Sequence, residues 1–327
     1  MRRAVLGMLL LMAAACSEAE AVTLEGLASP RGLTVLEGGD LLIAEVAAGR
    51  LLRWTPGALH TSVVAEGLPT MLLGPDGAPA GVSAALRVGE TYYYVVGEAR
   101  AKGFRELYRL RPGEHPEGVT GQEILGLESP NRLTNPYDLA QAPAGAFYAS
   151  DSGVNAVLRI DPDSSIVDYA TFASRDTGLA EGPPTMDVVP TGLTFGPDGA
   201  LYVASLTGFP FLQGAAYVYR LADINGDGDA RDPGEVSVYA EGFTAATDLA
   251  FEADGSLLVT EFSTDMAHLA EAGFGRAAEW PGRLVRWRDG AIEVVAEGLV
   301  SPTAVAISGD RVFVSEEFAG RVREVLR

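Results

Sequence analysis

The chain has 327 residues, 47% of them hydrophobic, and a formal net charge of −20. That charge disfavours nucleic acid and anionic lipid headgroups, whose phosphates it repels, and favours cationic or neutral partners. A single cysteine rules out an internal disulfide, and no later apolar run reaches the ~20 residues of a membrane-spanning helix.

The chain opens on Arg2-Arg3, a short apolar stretch over residues 4–12, and Ala13-Ala14-Ala15-Cys16. This order predicts an export signal over residues 1–15. Small residues before a cysteine fit a bacterial lipoprotein cleavage site with the lipid on Cys16, although Ala13 stands where leucine is usual. Ordinary cleavage after Ala15 or Ala21 is the alternative. Residues 16–20 then form a short tether and residues 21–327 one domain, exported to the periplasm or cell surface.

From there the sequence repeats. Ser29-Pro30-Arg31-Gly32-Leu33 leads through a Gly/Asp turn to Leu41-Leu42-Ile43-Ala44-Glu45. The phrase returns at Asn135-Pro136-Tyr137-Asp138-Leu139, Val189-Pro190-Thr191-Gly192-Leu193, Ala246-Thr247-Asp248-Leu249 and Ser301-Pro302-Thr303-Ala304-Val305, with a weaker copy ending at Glu98. The second strands end at 45, 98, 151, 205, 261 and 316, at spacings of 53, 53, 54, 56 and 55. A period of this length, built of short strands and turns, is that of a propeller blade. The predicted fold is all-β: a six-bladed β-propeller. Its last blade has only three strands at the carboxyl terminus, so residues 21–27 are expected to complete it beside residues 321–327, removing open sheet edges.

Calling the strands of a blade a to d from the axis outwards, the a–b turns are short Gly/Asp hairpins, as at Gly38-Gly39-Asp40. The b–c loops vary, and long loops on a rigid frame are where function tends to sit. Blade four carries Thr207-Gly208-Phe209-Pro210-Phe211. Blade five carries residues 262–282, with His268, Phe274, Trp280 and a short helix expected over 266–272. Five strand-b ends bear a carboxylate: Glu45, Glu98, Asp151, Glu261 and Glu316. They read either as an acidic ring for a cation or polar ligand, or as acceptors for the backbone of their own turns. Asp138 and Asp248 start strand a near the axis, where mutual repulsion calls for a cation or a proton.

Asp223-Ile-Asn225-Gly-Asp227-Gly-Asp229 matches the start of an EF-hand-type calcium loop, with oxygen donors at positions 1, 3, 5 and 7 and glycine at 6. Position 12 is Gly234, so Asp232 or Glu235 would have to close it. The expectation is one structural Ca2+ on the c–d side of blade four, held by Asp223, Asn225, Asp227 and Asp229. His60, His115 and His268 fall outside the repeat register, and no nucleophile elbow, phosphate loop or zinc spacing is present.

Asn135-Pro-Tyr-Asp-Leu-Ala140, the run from Val189 to Val203, Leu206-Thr-Gly-Phe-Pro-Phe211, Ala216-Tyr-Val-Tyr-Arg220 and Tyr239-Ala-Glu-Gly-Phe243 together resemble the ScyD/ScyE family of exported six-bladed, NHL-like propellers. The resemblance implies fold and export; that family carries no assigned reaction. The calcium-like insertion and the long blade-five loop depart from it. Gluconolactonase-type propellers use Asn or acid residues where this chain has Arg31, Tyr137, Thr191, Thr247 and Thr303. A quinone-dependent sugar dehydrogenase would need a basic, histidine-containing pocket that the sequence does not show. The expected function is binding of a small molecule or an envelope protein on the loop-rich face, through Arg31, Tyr137, Asp138, Thr191, Thr207, Phe209, Phe211, Asp248 and Glu261. The enzymatic alternative is a lactonase or sugar-directed hydrolase using a cation on Asp138, Asp248 and Glu261.

Overall fold

A computed structural model describes residues 21–74, 77–119, 133–266 and 277–325. The expected helix over 266–272, His268 and Phe274 therefore fall wholly or mostly outside the described residues, as do Cys16 and the leader.

The chain enters on β1 (Thr23–Glu25). Blade one follows as β2 (Pro30–Val35), β3 (Leu41–Glu45), β4 (Arg50–Trp54) and β5 (Ser62–Ala65). A small hairpin, β6 (Met71–Leu73) and β7 (Ala78–Ala80), links it to blade two: β8 (Val82–Val88), β9 (Thr91–Val96), β10 (Glu106–Leu110) and β11 (Glu117–Gly118). Blade three is β12 (Pro136–Gln141), β13 (Phe147–Asp151), β14 (Ala156–Ile160) and β15 (Ile166–Thr171). A second hairpin, β16 (Arg175–Asp176) and β17 (Thr185–Met186), leads to blade four: β18 (Pro190–Phe195), β19 (Leu201–Ser205), β20 (Ala216–Leu221) and β21 (Val236–Phe243). Blade five is β22 (Ala246–Phe251), β23 (Leu257–Glu261), β24 (Pro281–Arg288) and β25 (Ala291–Val300). Blade six has β26 (Pro302–Ser308), β27 (Arg311–Glu316) and β28 (Arg321–Val325), with β1 as its outer strand. The fold is the expected six-bladed β-propeller.

Second strands such as β3, β19 and β23 are buried at every position. They have blade neighbours on both faces, so they read as continuous apolar runs rather than alternating ones. The core is accordingly a set of clusters between neighbouring blades, for example Tyr94, Leu42 and Val96 between blades one and two.

The weak copy in blade two has a shifted register. The inner strand starts pair Pro30 with Glu45, Pro136 with Asp151, Pro190 with Ser205, Ala246 with Glu261 and Pro302 with Glu316. In blade two the pair is Val82 with Val96, so Glu98 stands two residues beyond the position that the repeat assigned to it.

Each of these first pairs is followed by a bulge, in all six blades. A bulge turns the strand and re-aims the next side chain. The residues so placed are Arg31, Ser83, Tyr137, Thr191, Thr247 and Thr303. Hydroxyls then tie the blades together around the axis. The Ser83 Oγ donates to the Pro136 carbonyl (2.8 Å), Thr191 to Ala246 (2.9 Å), Thr247 to Pro302 (2.8 Å) and Thr303 to Pro30 (3.4 Å). Ser152 supplies the bond to Pro190 (2.7 Å), and Thr34 the bond to Ala85 (2.7 Å).

The ring closes at β1, whose Thr23, Leu24 and Glu25 pair with Arg323, Val322 and Arg321. The Leu27 N–H donates to Gly320 (2.9 Å), and the Val22 N–H donates to the Glu324 carboxylate (3.0 Å). Leu24 is buried in the cluster with Phe313 and Trp54. A chain trimmed to start at Ser29 loses these bonds, at roughly 0.5–1.5 kcal/mol each, and about 1.5–3 kcal/mol of Leu24 burial. Its melting temperature should fall by well over ten degrees; an unchanged melting curve would show that β1 does not hold the ring.

Candidate functional site

Strand b rises to, and strand c leaves, the face that also carries the d–a links. There the channel widens into a mouth cavity of about 160 Å3. Its lining includes Arg31, Tyr137, Thr191 and Thr303 from strand starts, Glu98 and Ser152 from b–c loops, and Pro79 from the first hairpin. Leu206, Phe262, Met266 and Phe318 form an apolar wall.

Arg31 and Glu317 pair at 2.7 Å, the Arg31 Nε donating a second bond at 3.1 Å to the other carboxylate oxygen. Glu317, from the blade-six b–c loop, is 3% exposed. Burial opposes the Arg31 charge, but Glu317 more than restores it, and the guanidinium is held above its ordinary pKa. Breaking one partner of such a pair would strand a buried charge. Tyr137 reaches from blade three across the axis to donate to the Thr303 carbonyl (3.4 Å). Burial, the dominant cause, raises its phenol well above the usual value.

Arg31, Tyr137 and Thr303 also line a second, deeper cavity of about 270 Å3. They are thus the floor of the mouth and the roof of an inner chamber that holds Asp138 and Asp248. Asp138 accepts the N–H of Leu139 (2.8 Å) and, across the blade gap, of Leu193 (2.9 Å). Asp248 does the same with Leu249 (2.8 Å) and Val305 (2.8 Å). Between them lies Gly192, where an added Cβ would collide with Asp248; only glycine lets blades four and five come this close. Burial pushes the Asp138 carboxyl up to about 6 despite its two N–H bonds. Burial, then the charge of Asp138, raises Asp248 well above the carboxylate range.

Four strand-end acids bind the link that precedes their blade rather than their own b–c turn, and only Asp151 also accepts from its turn. Glu45 accepts the Ala28 N–H (2.7 Å) and Arg50 (2.6 Å). Asp151 accepts the N–H groups of Thr134 (2.5 Å), Asn135 (2.9 Å) and Gly153 (3.0 Å). Glu261 accepts Thr244 (2.5 Å) and pairs with Arg283; Glu316 accepts Val300 (2.7 Å) and pairs with Arg321. Each fastens the link entering its own blade. Glu98 alone lies on the mouth.

Of the residues singled out in the sequence, Arg31, Tyr137 and Thr191 line the mouth, while Asp138 and Asp248 lie beneath it in the chamber. Thr207, Phe209, Phe211 and Glu261 line neither. Thr207 is buried, its N–H spent on the Val188 carbonyl (3.0 Å). Phe211 packs with Phe262, Met266 and Trp280 under the loops of blades four and five, which do meet. Phe209 stands edge-on to it and is 57% exposed. The Thr191 hydroxyl is committed to the blade junction. Asn135, Glu317 and Phe318, which carry no signal in the repeat, reach the mouth from the loops before β12 and after β27. His60 and His115 are exposed.

The acid-rich loop lies between β20 and β21, on the face away from the mouth. Asp223 accepts the N–H groups of Gly226 (2.6 Å) and Gly228 (2.8 Å), Asn225 that of Asp227 (2.8 Å), and Asp229 that of Arg231 (3.0 Å). The Asn225 amide lies between the carboxylates of Asp227 and Asp232, and buried Glu235 accepts from Ile224 (2.9 Å) and Asp232 (3.0 Å). Among the described residues, no group of three or more acidic, histidine or cysteine side chains converges on a common point, here or in the channel. The fit to a metal ion is thus incomplete.

No protein-family model matches the chain, and no curated protein sequence matches it. Solved structures do. A gluconolactonase from Xanthomonas campestris superposes with a TM-score of 0.61 at 15% identity, over 94% of this chain and 90% of its own. Virginiamycin B lyase from Staphylococcus aureus gives 0.55 at 15%, over 94% and 99%. An auxiliary nutrient binding protein from Bacteroides thetaiotaomicron gives 0.59 at 9%, over 92% and 69%. At these identities the likeness is one of fold.

The raised carboxyls predict a sign. Below the unfolded Asp value of about 4, both are protonated whether folded or not, and the chamber carries no penalty. As pH rises through 4 towards and beyond 6, the unfolded chain ionises freely while the folded one resists, so this contribution to stability is lost. Asp248→Asn removes one charge at the expense of an N–H acceptor. The melting temperature of the variant relative to wild type should therefore improve steadily from pH 4 to pH 8; a constant difference would refute the assignment.

Proposed function

We propose that the protein is an exported binding propeller of the ScyD/ScyE type, lipid-anchored at Cys16, that takes a small molecule at its mouth. The observation that carries this is the mouth itself: an apolar wall facing a polar floor whose Arg31–Glu317 pair and Tyr137 are held in place by bonds across the ring. Pockets that combine an apolar lining with a few fixed polar groups are the usual form of a ligand site. At about 160 Å3 this one suits a small occupant. A nutrient-binding protein among the structural neighbours supports the reading. So does the path of the chain. Strand β1 starts at the face opposite the mouth, so a tether through Cys16 would leave the mouth facing away from the membrane. Ligand-observed NMR with a library of small amphipathic molecules should yield binders that Ala78→Trp, which fills the cavity rim, no longer holds. A library without any binder, or binders indifferent to that substitution, would overturn the reading.

A second reading is favoured by Asp138 and Asp248. Paired carboxyls with raised pKa values beside a cavity are what acid–base chemistry requires, and a gluconolactonase shares the fold. Turnover in a panel of lactones and esters that disappears in Asp248→Ala would establish hydrolysis and displace the binding reading.

Calcium in the loop from Asp223 to Glu235 is a separate, structural proposal. The ion would draw Asp223, Asn225, Asp227 and Asp229 away from the turn bonds they now accept and order the blade-four c–d connection. Calorimetry with calcium chloride should show one site that Asp227→Ala abolishes, and chelator should lower the melting temperature by a few degrees. No heat at millimolar calcium would rule the site out.

A further inference from the structure

We propose that the mouth selects a small apolar molecule bearing an ammonium group, with Glu98 as its counter-ion and the Asn135 amide as its second polar contact. The proposal rests on the mouth being a binding site. Its starting point is the contrast among the strand-end acids. Glu45, Asp151, Glu261 and Glu316 are all engaged by backbone N–H groups, and three of them also by arginines. Glu98, displaced by the blade-two register, is exposed on the mouth, and its carboxylate meets no hydrogen-bond donor or cation at bonding distance among the described residues. Its backbone is held: Arg105 bonds to the Glu98 carbonyl (3.5 Å), and the neighbouring Ala99 N–H bonds to Gly97 (3.0 Å). Asn135 is similar. Its N–H donates to Asp151 and its carbonyl accepts from Ser152 (3.0 Å), while Asn135 lines the mouth with no side-chain bond among the described residues.

The charge balance gives the class of ligand. Among the described lining residues Arg31 is the one cation; Glu317 neutralises it through two bonds, and Glu98 acts on it from further off. Glu98 therefore leaves the described lining with one net negative charge, and the whole chain carries −20. A carboxylate or phosphate ligand would meet uncompensated negative charge. A neutral alcohol could bond to Glu98 but not neutralise it. An ammonium does both, while Phe318, Phe262 and Leu206 take its apolar part. The field of an acidic protein draws such a cation inward.

Benzylamine, benzyl alcohol and benzoate have nearly the same shape and differ in charge. Titrated into the full chain and followed by ligand-observed NMR, benzylamine should bind roughly five- to tenfold more tightly than benzyl alcohol, with benzoate weakest. Glu98→Gln should bring benzylamine to the level of the alcohol, and salt raised from 10 to 300 mM should do so in part. If the alcohol equals the amine, or Glu98→Gln leaves the amine's advantage intact, the counter-ion role fails while the mouth remains a binding site. If none of the three binds, both readings fail.

Discussion

The bulge at the start of every inner strand is the constraint on which the rest depends. It separates one residue from the ladder in each blade and points that side chain at the axis. Where the residue is serine or threonine, the hydroxyl crosses to the first carbonyl of the next blade. Where it is tyrosine or arginine, another hydroxyl takes over the junction and the larger side chain is released into the channel. The proline that begins four of the six strands fits this plan, since it has no N–H to lose at a strand's first position and its carbonyl is the acceptor. One local device thus joins the blades and shapes the channel. The floor of the mouth includes the two positions, Arg31 and Tyr137, at which the joining role has been given up, beside Thr303, which keeps it.

Charge follows the same geometry. A ring this acidic could not gather its carboxylates at one face without compensation, and the structure disperses them. The strand-end acids are drawn into the links that enter their own blades, with Arg50, Arg283 and Arg321 directly across the strand. Asp138 and Asp248 remain on the axis because their oxygens replace missing strand partners between blades three and four and between five and six. Their N–H bonds do not offset the loss of water, which is why both carboxyls are raised, Asp248 more than Asp138. The inner cavity is therefore a structural seam whose two carboxyls resist ionisation.

The period of the repeat, the missing fourth strand, the hairpin face and the position of the acid-rich loop were all legible in the sequence, because each depends on local patterns of glycine, aspartate and apolar runs. The bulges were not: a residue such as Thr191 looks the same whether it faces the axis or a neighbouring strand. Blade two misled for a related reason. Its Tyr92-Tyr93-Tyr94-Val95-Val96 run has no acid at the pairing position, so the sequence pattern points to the next acid, Glu98, which lies in the loop. Phe209 and Phe211 were prominent in the sequence because aromatic residues in a long loop stand out. Their actual place, one packed under the loops and one turned to solvent, was settled by the approach of Met266 and Trp280 from another blade.

The strand that completes blade six meets a partner about three hundred residues further along, Thr23 against Arg323. The inner strands of blades six and one can meet through Thr303 and Ser315 before then, but β1 cannot pair until residue 321 has been made. During synthesis, five blades and most of a sixth must wait with β1 unpaired and the flanks of blades one and six uncovered, the slow, edge-exposed condition that non-local β pairing imposes. The last few residues to emerge therefore act as the latch of the whole molecule. A chain that stops short of β28 lacks two strands of blade six rather than one, since β1 then has no sheet to join.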